Sequence, residues 1–216
     1  MEKTGLVKFD LFRTWYYEGA ELIGEYKMPK VAATQSLPSN VISCTEIGSV
    51  KNRKELWVDH FVDDCRFNNA WNNLDIKIPI YKEFGGVIGF DWSLDKCFQP
   101  GLNIWHCTKC RNADFYMQKH GIDVIPVASW LDEKSFDWCL DGLPQESSIA
   151  VSTNGCLSSR EARKCFVDGV KIVQERLSPT HLVVCGNPLE ELQEYSNIFY
   201  YPNFSTRRRR RDKDGK

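Results

Sequence analysis

Residues 148–184 read SIAVSTNGCLSSREARKCFVDGVKIVQERLSPTHLVV and contain two short apolar runs separated by a helical pattern. The first run is Ser148-Ile149-Ala150-Val151-Ser152, and the second is His181-Leu182-Val183-Val184. Between them, residues 158–177 carry apolar side chains near helical spacing, and Ser178-Pro179 ends the pattern. Runs that are β-branched and nearly continuous are typical of strands buried on both faces of a parallel sheet. This stretch therefore predicts a strand–helix–strand unit.

The same alternation extends through most of the chain. Residues 103–120 predict a second helix, which ends at Gly121, and residues 135–140 predict a shorter helical turn. Regular alternation of strands and helices predicts an α/β fold with a mostly parallel sheet and right-handed crossovers. The remaining runs of strand length are Val41-Ile42-Ser43-Cys44 and residues 57–62, 86–90 and 124–127, with a weak last one at residues 198–201.

Two architectures agree with this pattern. A closed (β/α) barrel takes about 250 residues, so a chain of 216 would form a compact or incomplete barrel. A doubly wound open sheet fits the length more comfortably. We favour the compact or incomplete barrel, because polar residues follow the strand ends in the same way along the chain.

Composition limits the class of protein. The chain carries 28 Lys+Arg against 29 Asp+Glu, a formal net charge of -1, and 42% hydrophobic residues, which is enough to build a core. It has no apolar run of membrane-spanning length, and its nine cysteines are scattered and odd in number. We therefore expect a soluble cytoplasmic protein without disulfides. We divide it into an irregular N-terminal segment (1–40), a single α/β domain (41–204) and a disordered Arg-rich tail (205–216).

Polar side chains follow the predicted strands, and in parallel α/β folds the ligand site lies at the C-terminal strand ends. Converging carboxylates there would act as acid/base groups or hold a divalent cation, whereas the alternative role for each is to cap the following helix. The catalytic candidates are Asp63, Asp64 and Asp91, and the ligand-binding candidates are Glu46, Ser93, Arg111, Trp130, Asp132, Ser152, Thr153 and Gly155.

Three further motifs bear on the ligand. The loop at residues 151–155 resembles a small anion cradle, and Trp130 is placed to stack on a base or sugar. The run Arg207, Arg208, Arg209, Arg210 and Arg211 would bind phosphates, or else only make the terminus soluble. The stretch His106-Cys107-Thr108-Lys109-Cys110 lacks the second ligand pair of a zinc site and lies within a predicted helix, which disfavours metal or redox function.

Residues 60–67, 121–130, 135–144 and 149–156 form an ordered series of motifs. This series resembles the family known as domain of unknown function 4417, whose members occur in bacteria, phages and other mobile elements. The resemblance runs from about residue 38 to 187. It aligns Asp91, Ser93 and Arg111 with family positions, although a family Pro before Asp91 is lost here and the cysteines of residues 106–111 are not a family feature. Along the resembling stretch, Glu46, Asp63, Asp64, Trp130 and Ser152 fall within matching motifs.

Two functions remain open at this point. In the first, the protein is a mobile-element α/β domain that binds or acts on a nucleotide, nucleoside or nucleic-acid end at the strand ends. In the second, it is a non-catalytic accessory protein that binds a host protein or DNA, partly through the Arg tail. The sequence does not identify a cofactor beyond a possible divalent metal.

Overall fold

The computed structural model describes residues 10–207 and has an α/β fold with parallel sheets alternating with helices. A two-stranded antiparallel hairpin precedes seven parallel strands. The hairpin is β1 (Leu22–Ile23) and β2 (Met28–Pro29), and the parallel strands are β3 (Asn40–Ser43), β4 (Leu56–Asp59), β5 (Gly86–Ile88), β6 (Val124–Ile125), β7 (Ser148–Ser152), β8 (His181–Cys185) and β9 (Ile198–Tyr201). The helices are α1 (Asp64–Asn72), α2 (Leu74–Tyr81), α3 (Pro100–Lys119) and α4 (Arg160–Leu177).

The parallel strands lie side by side in the order of the sequence. Strands β3 to β6 form one sheet and β7 to β9 a second. The two meet at a parallel bridge between Val127 and Ala150, where Ala150 accepts from the Ala128 amide at 2.9 Å. A doubly wound sheet would reverse its strand order, and none of the described strands does so. Because no pairing within residues 10–207 joins β9 back to β3, the structure agrees with the incomplete barrel and not with a closed one.

The inner face of these strands carries one apolar cluster to which all seven strands contribute. Strand alternation points every second side chain to this face, as in the interior of a (β/α) barrel. The outer faces pack against the helices in two further clusters, one around α1 to α3 and one around α4. The inner cluster comprises Val41, Trp57, Phe61, Ile88, Ile125, Val127, Ala150, Val183 and Cys185, with Tyr201 packed against it.

The helices begin and end for local reasons. Helix α4 is capped by Ser159, whose Oγ accepts from the Ala162 amide at 3.1 Å, and it ends at Ser178 in the left-handed region. Helix α3 begins at Pro100, three residues before the predicted start, because proline is well suited to the first helical position. The predicted turn at residues 135–140 is a 3-10 helix at Glu133–Asp137. Among residues 10–207, no helix is long and apolar enough to cross a membrane.

The segment before β3 packs on the domain along part of its length. Tyr16 is buried and donates from its hydroxyl to the Trp71 carbonyl at 2.9 Å. Val31 is also buried and donates from its amide to the Gly142 carbonyl at 2.8 Å. The part of the predicted N-terminal segment that is described therefore contributes to the core, while residues 1–9 lie outside the described range.

Candidate functional site

A cavity of about 660 Å³ opens at the C-terminal ends of β5, β6 and β7. This volume lies within the range of about 300–1,000 Å³ that small-molecule sites occupy. Five sequence-predicted ligand or catalytic residues line it, namely Asp91, Ser93, Trp130, Ser152 and Gly155. The cavity is also lined by Trp92, Asp95, Lys96, Ser129, Leu131, Asn154, Glu161, Cys165 and Phe166.

Asp91 is one of three carboxylates that line this cavity, with Asp95 and Glu161. The Ser129 hydroxyl, which follows β6, donates to Asp91 Oδ1 at 2.7 Å. Burial raises the pKa of Asp91 to about 6, with a further rise from Asp64 and an opposing effect of the Ser129 hydrogen bond. A carboxylate with a pKa near 6 changes protonation close to neutral pH, which is what a general acid or base requires.

Asp64 lies beside the cavity in the first turn of α1. It accepts from the Ser93 amide at 3.2 Å and from the Ser93 hydroxyl at 2.9 Å, and so fixes the loop that follows Asp91. The Ser93 carbonyl in turn lies 2.5 Å from Nδ1 of His106 on α3. Lys109 Nζ, on the same helix, sits 3.0 Å from the Trp92 ring centroid, and burial lowers the pKa of Lys109 to about 8. These contacts hold the loop after β5 in place.

Trp130 forms an apolar wall of the cavity. Its ring is nearly parallel to those of Phe136 and Phe166, with centroids 5.7 Å away in each case. Its indole N–H donates to the Cys165 carbonyl at 3.2 Å. Gly169 lies directly against the indole, where any larger side chain would collide with it. Packing on α4 therefore already occupies much of the ring that the sequence predicted would stack on a ligand.

The loop after β7 is held by its own hydrogen bonds. The Asn154 amide donates to Ser152 Oγ at 3.1 Å, and the Ser152 hydroxyl lies 3.4 Å from the Cys185 carbonyl. Gly155 adopts a φ of +74°, a left-handed conformation that favours glycine. Thr153, by contrast, is buried with its hydroxyl 3.5 Å from the Cys185 carbonyl, and it does not line the cavity. Ser152 and Gly155 thus face the cavity, whereas Thr153 faces the protein.

Three sequence-predicted residues take structural positions away from the cavity. Asp63 precedes α1 with a side chain that is 79% exposed and paired to Arg66, and it does not line the cavity. Arg111 is buried and donates to three backbone carbonyls at 2.9–3.0 Å. Asp132 caps the 3-10 helix by accepting from the Ser135 amide at 3.1 Å. Asp132 therefore has the capping role that the sequence analysis gave as the alternative to ligand binding.

A second acidic position lies at the ends of β3 and β4. Asp59 is buried at the end of β4, two residues after the inward-facing Trp57. Its Oδ1 accepts from the Phe61 amide at 3.1 Å and its Oδ2 from Arg207 at 2.8 Å. Glu46 Oε2 lies 3.8 Å from the same guanidinium and accepts from the Ser43 amide at 3.0 Å. Because residues 57–62 were predicted as one strand, Asp59 was not among the predicted strand-end residues.

Arg207 is the one arginine of the predicted tail that the structure describes. Its side chain is 10% exposed and is ion-paired, so the prediction that it belongs to a disordered tail free to contact phosphates is wrong at this residue. Arg208, Arg209, Arg210 and Arg211 lie outside the described residues, and their predicted role in nucleic-acid binding stays a prediction.

The described part of the chain contains no preformed site for the divalent metal that the sequence left open. Among residues 10–207, no group of three or more His, Cys, Asp or Glu side chains is placed to hold an ion. Cys107 and Cys110 are buried in α3, where burial raises the pKa of both thiols. All nine cysteines are free. The thiols of Cys107 and Cys110 are therefore buried side chains of the core at α3.

The fold and the cavity define an α/β protein of the incomplete-barrel type with a polar pocket at its strand ends. The chain belongs to the family described as "Domain of unknown function (DUF4417)", which matches residues 20–202. It is similar to the "Gene 1 protein" of Mycobacterium phage L5, at 31% identity over 151 residues that cover 69% of this chain and 66% of that protein. The chain thus spans just under two thirds of the length of this relative.

A second relative is the "Gene 1 protein" of Mycobacterium phage D29, at 27% identity over 88% of this chain and 71% of that protein. No solved structure matches the chain. The family and both relatives agree with the phage or mobile-element setting that the sequence predicted, and the protein is a phage-type member of this family.

Proposed function

We propose that this protein binds a small polar ligand, uncharged or cationic, in the strand-end cavity. Asp91 is the group that forms a hydrogen bond with this ligand or transfers a proton to or from it. The observation that carries the proposal is the position of Asp91, which lines a cavity of about 660 Å³ and accepts a hydrogen bond from Ser129 at 2.7 Å. A carboxylate in such a pocket, with its pKa raised to about 6, is a functional-site candidate on physical grounds.

The charges around the cavity support a ligand without phosphate groups. Its ionisable lining includes the carboxylates Asp91, Asp95 and Glu161 against the single ammonium of Lys96, among the described residues. An anionic ligand would face repulsion from these carboxylates, whereas a cationic or uncharged one would not. Within the nucleotide class expected from the sequence, the lining therefore favours a nucleoside over a nucleotide.

The hydrogen-bonding groups support a ligand rich in hydroxyl and amine groups. Ser93, Ser152 and Asn154 line the rim, while Trp130 and Leu131 provide apolar surface. Small-molecule sites commonly combine apolar walls with a few convergent polar groups. A molecule of nucleoside or amino-sugar size would meet both kinds of surface.

A thermal-shift panel tests this proposal. The full chain would be screened against uncharged nucleosides, their 5′-monophosphates and small polar amines, alongside Asp91→Asn and the control Asp168→Asn. Asp168 is an exposed carboxylate on α4 paired with Lys164, away from the cavity. We expect a nucleoside or amine to raise the melting temperature of the wild type and of Asp168→Asn but not of Asp91→Asn. Stabilisation by monophosphates alone, or equal stabilisation of all three proteins, would contradict the proposal.

A further inference from the structure

The C-terminal ends of the parallel strands together form a polar surface, which we call the mouth. The cavity occupies only part of it. On the β3 and β4 side, residues 202–207, which we call the C-terminal cover, lie over the strand ends. Asn203 Nδ2 donates to Asn154 Oδ1 at 3.0 Å, so the cover adjoins the loop that lines the cavity. Asp59, under the cover, ends β4, and Asp91, in the cavity, follows β5, which is the parallel neighbour of β4. The two carboxylates thus belong to one mouth.

The cover is attached mainly through polar contacts. Arg207 donates to Asp59 and, at 2.7 Å, to the carbonyl of Pro202 within the cover itself. Phe204, the aromatic residue of the cover, is not among the described core clusters and stands 6.0 Å from the Arg66 guanidinium. A segment held by ion pairs and hydrogen bonds, with little apolar burial, separates from a domain more readily than a core element does.

The guanidinium of Arg207 fits its acidic site incompletely. Only one of its nitrogens, Nη2, makes a hydrogen bond to Asp59, at Oδ2, while Asp59 Oδ1 accepts from the Phe61 amide. Glu46 is at 3.8 Å, beyond hydrogen-bond range, and Nε is buried without a partner. A buried donor without a partner costs about 1–3 kcal/mol.

We propose that Glu46 and Asp59 form a second subsite of the mouth that binds a guanidinium group, and that Arg207 is its internal occupant. An external ligand carrying a guanidinium would compete with Arg207 and release the cover. The inference rests on the proposed function only in placing the ligand at this mouth and in its preference for cationic groups. It adds the chemical class of the cation and a residue of the chain that excludes it.

Hydrogen exchange of the wild-type full chain tests the competition. The probes are argininamide and citrullinamide, which have similar shapes, with a guanidinium in the first and an uncharged urea group in the second. We expect argininamide to raise exchange in the peptide that spans residues 202–207 by on the order of tenfold, with no effect of citrullinamide. Unchanged exchange, or equal effects of the two probes, would overturn the proposal.

Variants then assign the effect to the subsite. Arg207→Ala removes the occupant, and we expect it to bind argininamide at least about tenfold more tightly than the wild type. Asp59→Asn should abolish this gain when combined with it. The matched control is Arg163→Ala, which removes an arginine paired with Glu191 on the surface. Equal affinities of Arg207→Ala and Arg163→Ala would contradict the inference.

The outcome is separable from that of the proposed function. Asp91→Asn leaves Glu46, Asp59 and Arg207 in place, so the exchange response of residues 202–207 to argininamide should persist in that variant. Loss of binding in the Asp91 experiment with a retained exchange response would support the guanidinium subsite alone. The reverse pattern would support the Asp91 cavity alone and overturn the subsite.

Discussion

The hydroxyl of Ser129 donates a hydrogen bond of 2.7 Å to Asp91, and the two residues follow neighbouring parallel strands. Because parallel strands end at the same edge of a sheet, this contact brings together side chains 38 residues apart in the sequence. It stabilises the ionised form of Asp91 against burial, which raises its pKa to about 6. The protonation state of Asp91 therefore depends on its hydrogen bond with Ser129.

Ser129→Ala is predicted to move the pH profile of ligand binding to higher pH. A cationic ligand binds to ionised Asp91, so in the wild type its affinity should rise as the pH increases through about 6. Removing the Ser129 hydroxyl withdraws a hydrogen bond that favours the carboxylate, and the midpoint should then lie above that of the wild type. Titration calorimetry of a cationic ligand between pH 5 and 8 measures both midpoints. A midpoint that stays in place would show that Ser129 does not tune Asp91.

Asp63→Ala is predicted to leave ligand binding unchanged, in contrast to Asp91→Ala. The Asp63 side chain is 79% exposed and pairs with Arg66 in the same helix turn, and such surface pairs contribute about 0–1 kcal/mol. Both stability and affinity should therefore stay close to those of the wild type. Parallel thermal and binding measurements on the two variants check this. A loss of binding in Asp63→Ala comparable to that in Asp91→Ala would show that Asp63 belongs to the ligand-binding site.

Arg111→Lys is predicted to destabilise the fold. The Arg111 guanidinium serves the carbonyls of Val127, Cys139 and Asp141 together, and an ammonium group cannot meet three acceptors in that geometry. We expect a loss of roughly 2–4 kcal/mol in the free energy of unfolding, since buried carbonyls would lose their donors.

Urea denaturation measures this loss, with Arg163→Lys as the surface control. A change in the free energy of unfolding below about 0.5 kcal/mol is within the range of ordinary surface substitutions. It would show that the hydrogen bonds from Arg111 to Val127, Cys139 and Asp141 do not stabilise the fold.

Asp114→Asn is predicted to become more stable relative to the wild type as the pH rises. Asp114 is buried against Gly89 with neither carboxylate oxygen hydrogen-bonded, and burial raises its pKa from 3.8 to about 7 despite the opposing effect of Arg111. The folded chain therefore holds a proton that the unfolded chain releases, so wild-type stability falls as the pH rises from about 4 to about 7.

The comparison of melting temperatures at pH 5 and pH 8 checks the sign. Asp91 contributes in the same direction, whereas His60, whose pKa burial lowers to about 4, has the opposite effect below its ordinary value of 6.5. Both residues are present in wild type and variant, so the difference between the two isolates Asp114. A difference that is constant with pH would contradict the assignment.

The sequence predicted the parts of the fold that depend on local periodicity. Strand β7 has the predicted bounds, Ser148–Ser152, and the helix predicted at residues 158–177 is α4 at Arg160–Leu177. In both cases the apolar spacing and the flanking residues are sufficient signals. The strand predicted at residues 57–62 ends early, at Asp59, and the ring of the next residue, His60, contacts the Ile88 carbonyl and the Tyr81 hydroxyl. Such contacts between distant residues leave no local pattern.

The site could be predicted in part for the same reason. Asp91 and Ser152 follow clear strands, so strand ends alone indicated them. Asp59 and Arg207 could not be paired from the sequence, because they are 148 residues apart and Arg207 begins a run whose composition predicts disorder. One signal was present for Asp59, since inward-facing Trp57 two residues earlier implies that Asp59 points the same way.

Native mass spectrometry of the full chain with the stabilising ligand of the panel, for the wild type and for Asp91→Asn, tests the central claim most directly. The account predicts a complex of one ligand per chain in the wild type and at least about tenfold lower occupancy in Asp91→Asn, the loss expected for a buried charged hydrogen bond. Equal occupancy in the two proteins would contradict the assignment of the ligand to the Asp91 cavity.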